Sequence, residues 1–183
     1  AIVTLHCEHG NMVDFLRNRF VSEGKTSPQY HPLSRPVQVE AEAVNRALVM
    51  SKITGCTIYI VHVSCENSLK LIRNAQRSGC KVYAETCTQY LLLDASLYEK
   101  GFESAKWVMS PPLREKKDQA VLWTGINNGL IQVVASDHCP FMWENKKMGE
   151  NDFSKIPNGF PGIEHRMELL FSEGVNKKRI TPA

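Results

Sequence analysis

Runs of apolar, often β-branched residues alternate along the chain with stretches whose apolar positions recur at helical spacing. The runs Ala1 to His6, Thr57 to His62, Lys81 to Thr86 and Ile131 to Ser136 read as strands, being short, rich in Val, Ile, Thr and Tyr, and bounded by polar residues. Between them, Met12 to Phe20 is amphipathic at a helical period, and a polar loop around Ser27 and Pro28 follows. Pro36 opens a predicted helix over Val37 to Thr54, and Gly55 ends it. Glu66 to Arg77 places Leu69, Ile72 and Ala75 on one face, with Gly79 just beyond. Asp118 to Asn127 is closed by Asn128 and Gly129, and Ile163 to Ser172 is the last predicted helix.

Four strands alternating with helices imply parallel βαβ units, since a parallel connection needs a crossover long enough to hold a helix. A doubly wound sheet and part of a (β/α)8 barrel both satisfy that pattern. The phosphate-binding fingerprints of nucleotide-binding sheets, G-x-G-x-x-G and G-x-x-x-x-G-K-[ST], are absent. Candidate functional residues instead close several strands, which suits a barrel. A whole barrel takes about 250 residues, so four units amount to half of one. The first strand begins at Ala1 without a methionine, from which the sequence is expected to be a piece of a longer protein.

Two histidines and an aspartate stand where three of the strands end: His6, His62 and Asp137. Neutral imidazole and carboxylate suit zinc and similar divalent ions, and two histidines with one carboxylate leave a coordination position for water. Each taken singly also fits a hydrogen-bonded core histidine or a turn cap; three at strand ends make a site. His138 follows Asp137 and is expected to point away from it if the strand alternation persists. His31 and His165 are expected at the surface or behind the site, and Glu164 with Arg166 on a helix face.

Composition narrows the function. The 183 residues are 43% hydrophobic and 22% charged, ordinary for a folded protein, and the formal charge is only +3. The basic clusters Arg114 to Lys117, Lys146 with Lys147, and Lys177 to Arg179 read as solvated ends of elements. No basic stripe with interleaved aromatics suggests nucleic acid, and no apolar stretch approaches the roughly 18–20 residues of a membrane helix. The six cysteines form no C-x-x-C pair, and with no signal peptide expected, the reading is reduced thiols in a cytoplasmic protein.

The words around these residues carry a resemblance. His6-Cys-Glu-His-Gly-Asn11, Leu33-Ser-Arg-Pro36, Glu40-Ala-Glu-Ala-Val-Asn-Arg-Ala47, Val61-His-Val63, Ala84-Glu-Thr-Cys-Thr-Gln-Tyr-Leu91, Ser110-Pro-Pro-Leu-Arg114, Ser136-Asp-His-Cys-Pro-Phe141 and Ile156-Pro-Asn-Gly159 resemble, in order, the signatures of the dihydropyrimidinase and hydantoinase branch of the amidohydrolases. That resemblance covers nearly the whole chain. It implies a (β/α)8 TIM-type barrel of which residues 1–183 are the C-terminal half, strands five to eight with their helices. It also implies hydrolysis of a cyclic amide C–N bond, as in dihydropyrimidine or hydantoin ring opening, at a centre of two divalent metal ions, usually zinc.

Carried over residue by residue, the resemblance makes His6 and His62 ligands of one ion, and Asp137 both ligand of the other and proton shuttle. A carboxylated lysine bridging the ions and a His-x-His pair complete the family's site, and neither is in this sequence. Ser110 and Asn158 match positions that bind the substrate ring largely through the backbone. The implied partners are a small cyclic amide or imide and further copies of the chain in a homo-oligomer, a tetramer in the family, with no nucleic acid and no membrane. His9, Asn11 and Thr88 depart from the family's usual Asn, Asp and Pro, which touches loop geometry and substrate preference. Dihydropyrimidinase-related scaffold proteins, which act by assembly, form the rival reading. They typically replace the residues matching His62 and Asp137, both retained here. A third possibility is that the 183 residues alone are an inactive half-barrel.

Overall fold

Three helical crossovers string four strands into one parallel sheet. In the computed structural model, which describes residues 1–182, the strands are β1 (Ile2–Leu5), β2 (Thr57–Ile60), β3 (Val82–Cys87) and β4 (Val133–Ala135), in the spatial order of the sequence. Register pairs Val3 with Ile58, Ile58 with Val82, and Glu85 with Val133. Every pairing is parallel, as the alternation of strands and helices requires.

The crossovers are α1 (Gly10–Ser22), the short α2 (Tyr30–Ser34) and α3 (Val37–Thr54) after β1, then α4 (Glu66–Arg77) after β2. After β3 come α5 (Thr88–Leu92), 3-10 turns over Ala95–Glu99 and Gly101–Trp107, and α6 (Lys116–Asn127). Predicted and observed ends of α3 and α4 coincide. Pro36 is the extended residue before α3, and Gly55 closes it at φ 71°, a conformation only glycine adopts cheaply. Cys65, at the start of α4, offers no side-chain cap. The buried Asp118 on α6 supplies one, accepting the Glu66 N–H at 2.8 Å.

Helices cover one face of the sheet. Ile58, Ile60, Val82 and Ala84 pack beneath Val44 and Leu48 of α3, Leu69 and Ile72 of α4 and Leu122 of α6, all buried in one cluster. Fully burying such a side chain contributes roughly 1.5–3 kcal/mol. The alternate residues face the other way, and Tyr83 and Val133 remain exposed there.

Three expectations need correction. The last predicted helix is short: α7 (Trp143–Lys146) precedes it, and α8 (Arg166–Leu169) runs into a wider π-helical turn over Leu170–Val175. Its apolar residues Ile163, Met167 and Phe171 are exposed, so helical periodicity there is not matched by a packed face. The loop after Pro28 holds α2, a short helix the pattern did not predict, and its His31 is buried behind the Met109 carbonyl, the second of the two placements expected for it. Arg114 and Lys146 are buried too, not solvated. All six cysteines are unpaired, and among the described residues no helix is long and apolar enough to cross a membrane.

Candidate functional site

His6 follows the last residue of β1, while His62 and Asp137 lie two residues beyond β2 and β4, so all three stand at the C-terminal edge of the sheet. His62 and Asp137 have φ of 41° and 46°, the left-handed region that non-glycine residues avoid. Such backbone costs on the order of 1–3 kcal/mol per residue and concentrates where a side chain must be aimed. Because the strand geometry stops at Ala135, alternation does not govern His138. It is instead turned by hydrogen bonds from the Gly162 and Ile163 N–H groups to its Nδ1, at 3.2 and 3.3 Å, and lines a separate apolar cavity of about 690 Å³.

The two histidines meet edge-on. His6 Nδ1 lies 2.8 Å from His62 Nε2, with ring planes at 72°. Behind His6, the Glu8 carboxylate takes Nε2 at 3.2 Å and is itself bound by Arg35 Nη1 at 2.5 Å. Burial pushes the Glu8 carboxyl upward, but the His6 hydrogen bond and the Arg35 charge outweigh it and hold its pKa below the ordinary value. A carboxylate on Nε2–H fixes the tautomer that leaves the His6 lone pair on Nδ1, facing His62. Burial, then the neighbouring His6, lowers the His62 pKa and keeps that ring neutral.

Two imidazole nitrogens on one tetrahedral ion stand about 3.3 Å apart when each bond is about 2.05 Å, so the pair needs to open by only ~0.5 Å. The donor set therefore fits a divalent ion, with the carboxylate support such histidines usually have. Asp137 lines the same cavity, of about 250 Å³, with Ser110, Asn158 and Gln89. Among the described residues, though, no three His, Cys, Asp or Glu side chains close into a complete cluster. Ser110 and Gln89 both line the cavity, and among the described residues the buried Ser110 Oγ and Gln89 Oε1 have no hydrogen-bond partner.

The whole chain aligns with known enzymes. A D-hydantoinase from Ralstonia pickettii is 49% identical over 183 residues, 99% of this chain and 40% of that protein. A D-phenylhydantoinase from Escherichia coli is 45% identical over all of this chain and 40% of its own length. The crystal structure of dihydropyrimidinase from Brevibacillus agri superimposes with a TM-score of 0.97 at 48% identity, covering 99% of this chain and 40% of that one. The chain is a homologue of the D-hydantoinases and dihydropyrimidinases. It spans about 40% of the length of the relatives it matches, and no family model matches it. Its four-stranded α/β fold matches part of the dihydropyrimidinase fold.

Around the cavity this hydantoinase homologue carries groups that pattern reading missed. Arg114 is buried, donating to Glu40 at 3.1 Å, to Ser64 Oγ at 2.9 Å and to the Arg35 carbonyl at 2.5 Å. Glu40 also accepts the Ser64 N–H, at 3.1 Å, and the Ser64 hydroxyl. Glu85 takes the Tyr59 hydroxyl at 2.5 Å and the His62 N–H at 3.4 Å, bracing the turn that aims His62. All three of Glu40, Glu85 and Arg114 lie in words that carry the resemblance, but in the hydrophobic pattern a signal existed for Glu85: a carboxylate inside an apolar strand, three residues before the next element.

Proposed function

We propose that these residues form part of the active site of a cyclic-amide hydrolase that opens a dihydropyrimidine or hydantoin ring. In this reading they make up strands five to eight of a (β/α)8 barrel, residues 1–183 being the second half of its catalytic domain. His6 and His62 hold one divalent ion and Asp137 contributes to a second, with a His-x-His pair and a bridging carboxylated lysine supplied from outside these residues. The pair of ions, zinc by resemblance, supplies Lewis acidity and lowers the pKa of the attacking water towards neutrality. Asp137 takes the proton as that water's oxygen attacks the ring carbonyl carbon, then returns it to the ring nitrogen as the C–N bond breaks. Backbone groups of Ser110 and Asn158 orient the ring, and the copies of the protein assemble as a homo-oligomer.

The observation that carries this reading is the His6 and His62 pair, facing lone pair to ring nitrogen at 2.8 Å with Glu8 behind it, in a cavity shared with Asp137. It also argues against the scaffold alternative, for which an aimed imidazole pair and a strained Asp137 have no use.

The test is ring opening of dihydrouracil and of a 5-substituted hydantoin by the full-length protein, before and after chelation and zinc return. Activity should vanish on chelation and come back with zinc. Asp137→Asn should lower kcat by about 10²–10⁴-fold, whereas His138→Ala stays within a few-fold. Full turnover without metal, or equal losses from the two variants, would overturn the assignment.

A further inference from the structure

Two loops bring Ser110 and Asn158 to the cavity, and one buried lysine joins them. Lys146, at the end of α7, is only 3% exposed, yet among the described residues no carboxylate pairs with it. Its Nζ donates instead to three main-chain carbonyls: Val108 at 2.8 Å, Pro157 at 2.7 Å and Gly159 at 3.0 Å. Val108 stands two residues before Ser110, and Pro157 and Gly159 flank Asn158. Three donors on a tetrahedral ammonium meet three acceptors, so the tripod is filled.

The same segments are tied from other sides. The Gly159 N–H donates to the Val108 carbonyl at 3.0 Å, so the two loops also bond directly. His31 Nε2 lies 2.8 Å from the Met109 carbonyl, and the Tyr90 hydroxyl donates to the Pro111 carbonyl at 2.7 Å. Beyond Asp137, the Cys139 N–H donates to the Phe160 carbonyl at 3.1 Å. A Cβ at Gly159 would fall 2.2 Å from the Cys139 carbonyl oxygen, so only glycine lets these backbones approach so closely. Carbonyls on both sides of Ser110 are thus engaged, while its own buried hydroxyl has no hydrogen-bond partner among the described residues.

We propose that Lys146 is a positioning residue that locks the Val108–Ser110 and Pro157–Gly159 loops at a fixed separation, so that backbone groups of Ser110 and Asn158 meet the two sides of a cyclic amide. This rests on the hydrolase reading above. Burial pushes the Lys146 pKa down to about 8, while three carbonyls at hydrogen-bond distance favour the charged form. An apolar side chain of similar length would leave the three carbonyls short of a donor and free the loops to separate, which loosens substrate binding without touching His6, His62 or Asp137.

The experiment compares wild type with Lys146→Met in the full-length protein by steady-state kinetics on dihydrouracil, bound zinc, and hydrogen exchange resolved by segment. The expected result is a KM raised at least about tenfold, kcat within about threefold, unchanged zinc content, and faster exchange confined to the segments around 108–113 and 156–160. A folded Lys146→Met protein with wild-type KM, or one whose only change is a lower Tm, overturns the proposal. If Lys146→Met does not fold, Lys146→Gln, which keeps one donor group, is measured against the same criteria. Should wild type itself fail to open the ring, the hydrolase reading falls, and the exchange comparison still decides whether Lys146 locks the loops.

Discussion

The two walls of the cavity are held by opposite means. On the histidine wall, buried charges meet opposite charges: Glu8 with Arg35, and Glu40 with Arg114. On the wall carrying Ser110 and Asn158, the backbone is held by side-chain donors, chiefly Lys146, His31 and Tyr90, each on a main-chain carbonyl. A residue removed from the first wall strands a charge in a low-dielectric interior, whereas one removed from the second leaves only neutral carbonyls wanting a donor. The first wall should therefore fail in stability, and the second in substrate geometry.

The largest expected effect tests that contrast directly. Glu40→Gln leaves the Arg114 guanidinium buried beside a neutral amide, and stranding one member of a buried pair costs about 3–5 kcal/mol. Urea unfolding of the full-length protein should show a loss of that order, clearly beyond that of Lys146→Met. A smaller loss from Glu40→Gln than from Lys146→Met would erase the distinction between the walls.

Next in size is Glu8→Ala. Without the carboxylate on Nε2, the His6 ring loses its fixed tautomer and orientation, and such supporting partners are typically worth 10–100-fold in metal affinity. Competition with a chelator should show that weakening for one bound ion. An unchanged affinity would mean that Glu8 serves only to neutralise Arg35.

How much of this was legible follows from range. The α3 and α4 boundaries were readable because Pro36, Gly55 and Gly79 act within a turn of the helix they delimit. His6, His62 and Asp137 stood out because each closes an apolar run, a pattern visible within six or seven residues. Arg114 and Lys146 were misread as solvated, since periodicity treats a charge as exposed unless something nearby says otherwise. Their partners lie far along the chain, Glu40 74 residues from Arg114 and Val108 38 from Lys146. The segment from Thr88 to Trp107 was equally opaque. It folds as a five-residue helix and two 3-10 turns, too short for any repeat to register.

His31 gives the second wall a pH dependence of its own. Burial, with the Arg35 charge adding to it, lowers the folded pKa to about 3, against an ordinary value near 6.5. As pH falls through 6.5 the unfolded chain gains a proton that the folded chain refuses. The stability present above pH 6.5 is thus lost progressively down to about pH 3. At about 1.4 kcal/mol per unit, this costs roughly 2 kcal/mol by pH 5. His31→Gln should remove that slope between pH 6.5 and 5 in denaturant titrations, and an unchanged slope would assign the acid sensitivity to another group.

The smallest expected effect is at the neighbouring lysine. Lys147 follows Lys146 directly, and the two read alike in the sequence, but Lys147 is exposed and, among the described residues, its side chain reaches only Glu144 of the same turn, at 3.1 Å. An exposed pair three residues apart works in high dielectric and pays side-chain entropy, so it contributes little. Lys147→Ala should leave the Tm within about 1 °C and the KM unchanged, beside the tenfold rise expected for Lys146→Met. Equal kinetic losses from both would mean that positive charge at this end of α7 acts through space on the substrate, and that the three carbonyl bonds of Lys146 are incidental. Unequal losses would tie the effect to what burial gives Lys146 and denies Lys147: a fixed direction for its donors.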